Sequence, residues 1–218
     1  MAERIDTVIL DVDGTLVDTN YQHALSWYRA FLRFDVELPV WRLHRAIGMG
    51  GDQLVPAVAG ARFEDEHGDD VRAAWAEEFE PQLGEVRAFG GVRELLAGIR
   101  GAGPKVVLAS SGAPEHVEVY LDLFDGRELA NAWTTSEDVD RTKPEPDLLG
   151  AALARVGGSR AVVVGDSVWD FEAAGRAGWP GYGLRTGGFS ADELRAAGAR
   201  EVFESVPELQ ESLVPALG

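Results

Sequence analysis

Short β-branched, aliphatic runs alternate with stretches of helical periodicity along most of this chain. Thr7-Val8-Ile9-Leu10 ends abruptly at Asp11, the pattern of a strand buried on both faces. Lys105–Ala109 repeats it ahead of Ser110-Ser111-Gly112, and residues 161–164 repeat it ahead of Gly165-Asp166-Ser167. Residues 131–134 and 182–184 are weaker strand candidates, and Val202-Phe203 reads as a last edge strand. Between them, Val92, Leu95, Leu96 and Ile99 recur at helical spacing, as do Val117, Val119, Tyr120 and Leu123. Leu148, Leu149, Ala152, Leu153 and Val156 form a third such face. The alternation predicts an α/β fold, a doubly wound and mostly parallel sheet with helices on both faces.

One stretch breaks the rhythm. Residues 19–87 show helical patterns (Ala24, Trp27, Tyr28 and Phe31; then Val71, Ala74, Trp75, Glu78 and Phe79) and no buried strand. This predicts an all-helical domain, 19–87, inserted into a core built from 1–18 and 88–218. The acidic, glycine-containing run of residues 64–70 reads as a link between its helices. Trp27, Trp41 and Trp75 read as packing residues.

Composition narrows the function. A length of 218 residues suits one core plus a small accessory domain. A formal charge of −17 repels phosphate backbones and argues against nucleic-acid binding. A small anionic substrate stays open, because a bound cation reverses the local field. Without cysteine there is no disulfide, zinc-thiolate site or thiol nucleophile. Val8-Ile9-Leu10 is too short for a signal peptide or membrane span, so a cytoplasmic protein without a membrane partner is expected. Oligomeric state is not encoded in any pattern visible here.

The chemistry concentrates in Asp11-Val12-Asp13-Gly14-Thr15. Open α/β sheets bind ligands beyond the carboxyl ends of their strands, where Asp11 falls. Gly14 allows a turn that returns Asp13 to the same side. Two such carboxylates need a cation or a shared proton. A plain Asp-Gly turn is the alternative. Further along stand Ser110, Lys143 (one of two lysines), Asp166 and Asp170. Taken singly, Ser110 also reads as a helix cap, Lys143 as a solvated loop lysine, and the two aspartates as cap and turn residues.

Together these segments resemble the four ordered motifs of the haloacid dehalogenase-like superfamily. The first is Asp11-Val12-Asp13-Gly14-Thr15, and the second is the strand ending in Ser110. Lys143-Pro144 matches the third, and Gly165-Asp166-Ser167-Val168-Trp169-Asp170 the fourth. The helical insertion sits where that family carries a helical cap. The resemblance implies a Rossmann-like core and a Mg²⁺-dependent phosphatase. Asp11 would be the nucleophile and Asp13 the acid–base. Ser110, with Ser111 and Gly112, would hold phosphoryl oxygens, and Lys143 would supply positive charge. Asp11, Asp13 through its carbonyl, and Asp166 would ligate Mg²⁺, with Asp170 behind them. A divalent cation would offset a repulsion between nucleophile and phosphate of about 4 kcal/mol at 4 Å and an effective dielectric of 20.

His23 and Arg45 are further candidates for substrate contact, although His23 fits a partly exposed helix histidine better. Arg45, Gly48, Met49, Gly50, Gly51 and Asp52 form a corner that reads as substrate-selecting, by the same resemblance, or as a plain helix–helix turn, and its Gly-Met-Gly-Gly run lacks the helix-opening context of a phosphate loop. Within the superfamily, Asp13 argues against a dehalogenase, and the absence of lysine before Lys105 argues against a phosphonatase. A β-phosphoglucomutase-like sugar phosphomutase is the nearer alternative, and a non-catalytic binding or regulatory module a remoter one. The substrate expected is a small phosphorylated metabolite, phosphoglycolate-like or sugar-phosphate-like.

Overall fold

The structure, a computed structural model, describes residues 4–218, so residues 1–3 of the expected core lie outside the described residues. Six parallel strands form one sheet: β1 (Thr7–Leu10), β2 (Lys105–Ala109), β3 (Ala132–Thr134), β4 (Ala161–Gly165), β5 (Gly181–Leu184) and β6 (Ala199–Phe203). Their spatial order is β3-β2-β1-β4-β5-β6. The weak strand candidates all form, and the last edge strand is longer than its two apolar residues suggested. β1 lies at the centre, where the chain order reverses, the place at which such sheets open a crevice. Leu10 pairs with Leu108 on one side and Val164 on the other, so Asp11, Ser110 and Asp166 emerge at one edge.

Alternate residues of β1 serve opposite faces. Val8 and Leu10 pack with Leu95 and Ile99 of α5 (Val92–Ala102) and with Leu209 and Leu213 of α11 (Val206–Leu217). Ile9 packs with Leu148, Leu149 and Ala152 of α8 (Asp147–Arg155) and Ala173 of α9 (Val168–Ala177). The fold is therefore the α/β, Rossmann-like arrangement anticipated above.

After β1 the chain makes four α-helices, α1 (Asn20–Leu32), α2 (Val40–His44), α3 (Gly51–Ala59) and α4 (Ala61–Phe79), and a 3-10 turn at Glu80–Glu85, before α5 leads back into β2. They have their own apolar cluster, which includes Ala24, Trp27, Phe31, Leu54 and Val71. Three expectations need correction. Residues 64–70 are no link but part of the 19-residue α4. Arg72 binds both oxygens of Glu64 (2.9 and 3.0 Å) and Asp69 (2.8 Å), offsetting the acidic run. Gly68 lies under that pair, and a Cβ there would meet Glu64 and Arg72 atoms at 2.6 to 2.8 Å. Second, the Gly48–Gly51 run does open a helix, because α3 begins at Gly51. Third, Trp41 is 69% exposed. α2 turns Leu43 inward, and two residues of α-helix rotate a side chain roughly 200° away.

Candidate active site

Asp11, Asp166 and Asp170 converge beyond the strand ends. Each offers an oxygen within 4.8 Å of the others, and all three are buried. The Lys143 ammonium, also wholly buried, sits between Asp11 and Asp170, 2.8 Å from Asp170 Oδ1 and hydrogen-bonded to Asp11. The other Asp170 oxygen accepts from the Ser167 amide (3.1 Å) and hydroxyl (2.6 Å). Asp170 is thus a helix-capping residue and the partner of Lys143 at once. The Thr15 hydroxyl lies 2.7 Å from Asp166 Oδ1 and 3.4 Å from Asp11 Oδ2. Asn20 donates to Asp166 Oδ2 at 2.9 Å.

Three buried carboxylates against one ammonium leave two uncompensated negative charges. Burial pushes Asp11 well above the usual carboxylate range; Lys143 opposes this, and the charges of Asp170, Asp166 and Asp13 add to it. Burial, then the charge of Asp170, raises Asp166 to about 7 against the hydrogen bonds from Thr15 and Asn20. An all-oxygen set carrying this excess charge fits a hard divalent cation. Asp11 and Asp166 are the side chains with capacity to hold one.

Asp13 faces a different environment. It accepts from Thr19 Oγ1 (2.9 Å), His23 Nε2 (2.9 Å) and Ser110 Oγ (3.0 Å). Burial works to raise it, but these donors and the His23 charge prevail and hold it at about 2. Ser110 Oγ in turn accepts from the Gly112 amide at 2.9 Å. The cap residue of the following helix, α6 (Pro114–Leu123), is Ala113, so Ser110 is no helix cap. His23 is buried, at 7% exposure, rather than partly exposed, because its ring stacks on Phe79 (4.1 Å) and Trp75 (5.5 Å).

A cavity of about 360 Å³ lies between these groups and the helical insertion. Asp11, Asp13, His23, Ser111 and Gly112 line one part, and Trp27, Ile47, Met49, Trp75 and Ala76 another. The tryptophans at 27 and 75 are therefore cavity walls as well as packing residues. Arg45 is not in this lining. It is ion-paired to Glu193, its guanidinium lies 3.8 Å over the Phe189 ring, and its carbonyl accepts from Trp169. Arg45 thus ties the insertion to the core.

Sequence reasoning passed over several contributors. Thr15 stood inside the first motif, but its link to Asp166 spans 151 positions. Thr19 and Asn20 stand at the start of α1, where polar residues are ordinary. The loop after β5 carries Gly187, where a Cβ would stand 1.7 Å from Asp166 Oδ2. The strand-end rule could have flagged that loop. Thr142, beside Lys143, binds Gly50 and Asp52 of the insertion, and nothing local signals it.

Comparison with known proteins identifies the family. The family model described as haloacid dehalogenase-like hydrolase matches residues 5–178. Phosphoglycolate phosphatase of Caulobacter vibrioides is 29% identical over 97% of this chain and 92% of its own length. Pyrophosphatase PpaX of Bacillus cereus is 30% identical over 80% of this chain and 81% of its own. The crystal structure of a hydrolase from Pseudomonas syringae superposes with a TM-score of 0.90 at 31% identity, covering 97% of this chain and 99% of that one. The four motifs, the central position of β1 and a match to most of the chain converge: this protein is an enzyme belonging to the haloacid dehalogenase-like hydrolases.

Proposed function

We propose that the protein is a Mg²⁺-dependent phosphatase that hydrolyses a small phosphate monoester through an aspartyl phosphate on Asp11. The observation that carries this is the buried set of Asp11, Asp166 and Asp170 with Lys143, two positive charges short of balance. Bound there, Mg²⁺ would offset the charge of nucleophile and phosphate. Asp11 and Asp166, with the Asp13 carbonyl, would hold it. Asp11 attacks phosphorus as the P–O ester bond breaks. The leaving oxygen takes a proton from Asp13. Water then attacks the acyl phosphate, Asp13 accepts its proton, and inorganic phosphate leaves with Asp11 restored. Among protein groups alone Asp13 rests ionised, so the first step needs a proton delivered to it. His23, 2.9 Å away, is the group in position to share one. Ser110, Gly112 and Ser111, whose hydroxyl has no partner among the described residues, face the transferring oxygens.

The relatives named as a phosphatase and a pyrophosphatase support this reaction class. A sugar phosphomutase must grip a second phosphate. Arg45 is committed to Glu193 and the insertion has no lysine, which favours hydrolysis. The test is release of p-nitrophenol from its phosphate ester. Turnover is expected to require Mg²⁺ and to fall by several orders of magnitude in Asp11→Asn. Undiminished turnover in that variant sinks the proposal.

A further inference from the structure

The charge distribution around the cavity also constrains the substrate, and here the reasoning rests on the phosphatase reading just given. With the phosphoryl group at the Asp11 end, the alcohol part of the ester must extend toward the helical insertion. That end is walled by Trp27, Trp75, Ile47, Met49 and Ala76. Trp27 and Trp75 stack on each other with centroids 5.3 Å apart and rings 18° from parallel.

A second anionic group on the substrate would need a free cation at this end. Arg72 lines the cavity but is already committed: both Glu64 oxygens, Asp69 Oδ1 and the Gly51 carbonyl surround its guanidinium. His23, the other basic residue of the lining, is bound to Asp13. Negative charge, by contrast, is fixed in place. Asp52 lines the cavity and is held there by the Thr142 amide (3.1 Å), the Thr142 hydroxyl and Gln53 Nε2 (2.8 Å). A carboxylate or second phosphate would be desolvated opposite Asp52 with no unpaired cation among the described lining residues to receive it.

We propose that the substrate is a monophosphate ester of an uncharged, largely apolar alcohol, and that the enzyme discriminates against esters carrying a carboxylate or second phosphate. The Glu64–Arg72 pair is the specificity element. It removes from the cavity a cation that an acidic substrate would use. A cavity of about 360 Å³ limits the alcohol to a small one, at the lower end of ligand sites.

The experiment compares kcat/KM for meta-cresyl phosphate and meta-carboxyphenyl phosphate, with Mg²⁺, in the wild type and in Glu64→Gln. The wild type is expected to favour the cresyl ester by at least about tenfold. Glu64→Gln releases part of the Arg72 charge and should narrow that ratio by improving the carboxylated ester. If that variant does not fold, Met49→Lys puts a cation into the same lining and should narrow the ratio likewise. Equal use of the two esters, or a preference unmoved by the added charge, overturns the proposal and leaves the phosphatase reading standing. Release of phosphate from neither ester overturns both.

Discussion

Lys143 carries the buried charge balance. It is fully buried, yet burial, which favours a neutral amine, loses to the adjacent Asp11 and Asp170, and its pKa is raised. Replacing it by methionine leaves those two carboxylates without their cation. Removing one member of a buried pair costs about 3–5 kcal/mol, so Lys143→Met should lose stability of that order in urea unfolding without metal. Asp166 gives a prediction of opposite sign. Its folded pKa, about 7, lies above the unfolded value of 3.8, so the folded state binds the extra proton. Its contribution to stability therefore declines as pH rises from about 4 to about 7. Asp166→Asn should stabilise the metal-free protein relative to wild type by a margin that grows across that window. A margin independent of pH would contradict the burial argument. Such effects were partly legible. Asp11, Asp13, Ser110 and Asp166 could be picked out because each closely follows a buried strand, and Lys143 and Asp170 because they complete the third and fourth motifs. Thr15 belongs to the first motif, but its hydrogen bond to Asp166 could not be read there, and at Thr19 and Asn20 any polar side chain would have fitted the pattern.

At the scale of elements, the loop before α8 and the start of α3 are joined. The Gly50 amide donates to Thr142 Oγ1 at 3.0 Å, and Asp52 accepts from the Thr142 amide and hydroxyl. Thr142 directly precedes Lys143, so the joint connects the cavity wall to the buried cation. Asp52→Ala removes hydrogen bonds to a charged acceptor, each worth about 1.5–3 kcal/mol. Amide exchange at the start of α3 should quicken, and kcat/KM for p-nitrophenyl phosphate should fall, with little change in the exchange of β1. Unchanged protection in α3 would show that the joint carries no energy. The strands were readable because parallel central strands are apolar on both faces, as Val8, Ile9 and Leu10 are. α4 was misread at residues 64–70 because glycine and aspartate are poor helix formers. α4 buries Val71, Ala74 and Phe79 beyond that run, and the Glu64–Arg72 contact that spans it joins positions eight residues apart.

For the whole molecule, the sheet buries an apolar cluster on each face, the inserted helices bury another, and the cavity lies between the strand ends and those helices. Among the described residues no helix is long and apolar enough to cross a membrane. The fold class was readable from alternation alone. The closure was not, since the Arg45–Glu193 and Thr142–Asp52 contacts join residues 148 and 90 positions apart. A ligand bound only by the folded state stabilises it, by about 2.7 kcal/mol at a hundredfold excess over Kd. Mg²⁺ should therefore raise the melting temperature above that in sodium chloride of equal ionic strength, and Asp166→Asn should abolish the difference. The most direct test of the account is to incubate the protein with Mg²⁺ and a radiolabelled acyl phosphate donor, quench in acid and map the label. The label is expected on the peptide containing Asp11, labile to hydroxylamine and absent from Asp11→Asn. Label on another residue, or rapid turnover of donor and esters with no covalent phosphate on Asp11, would contradict the account.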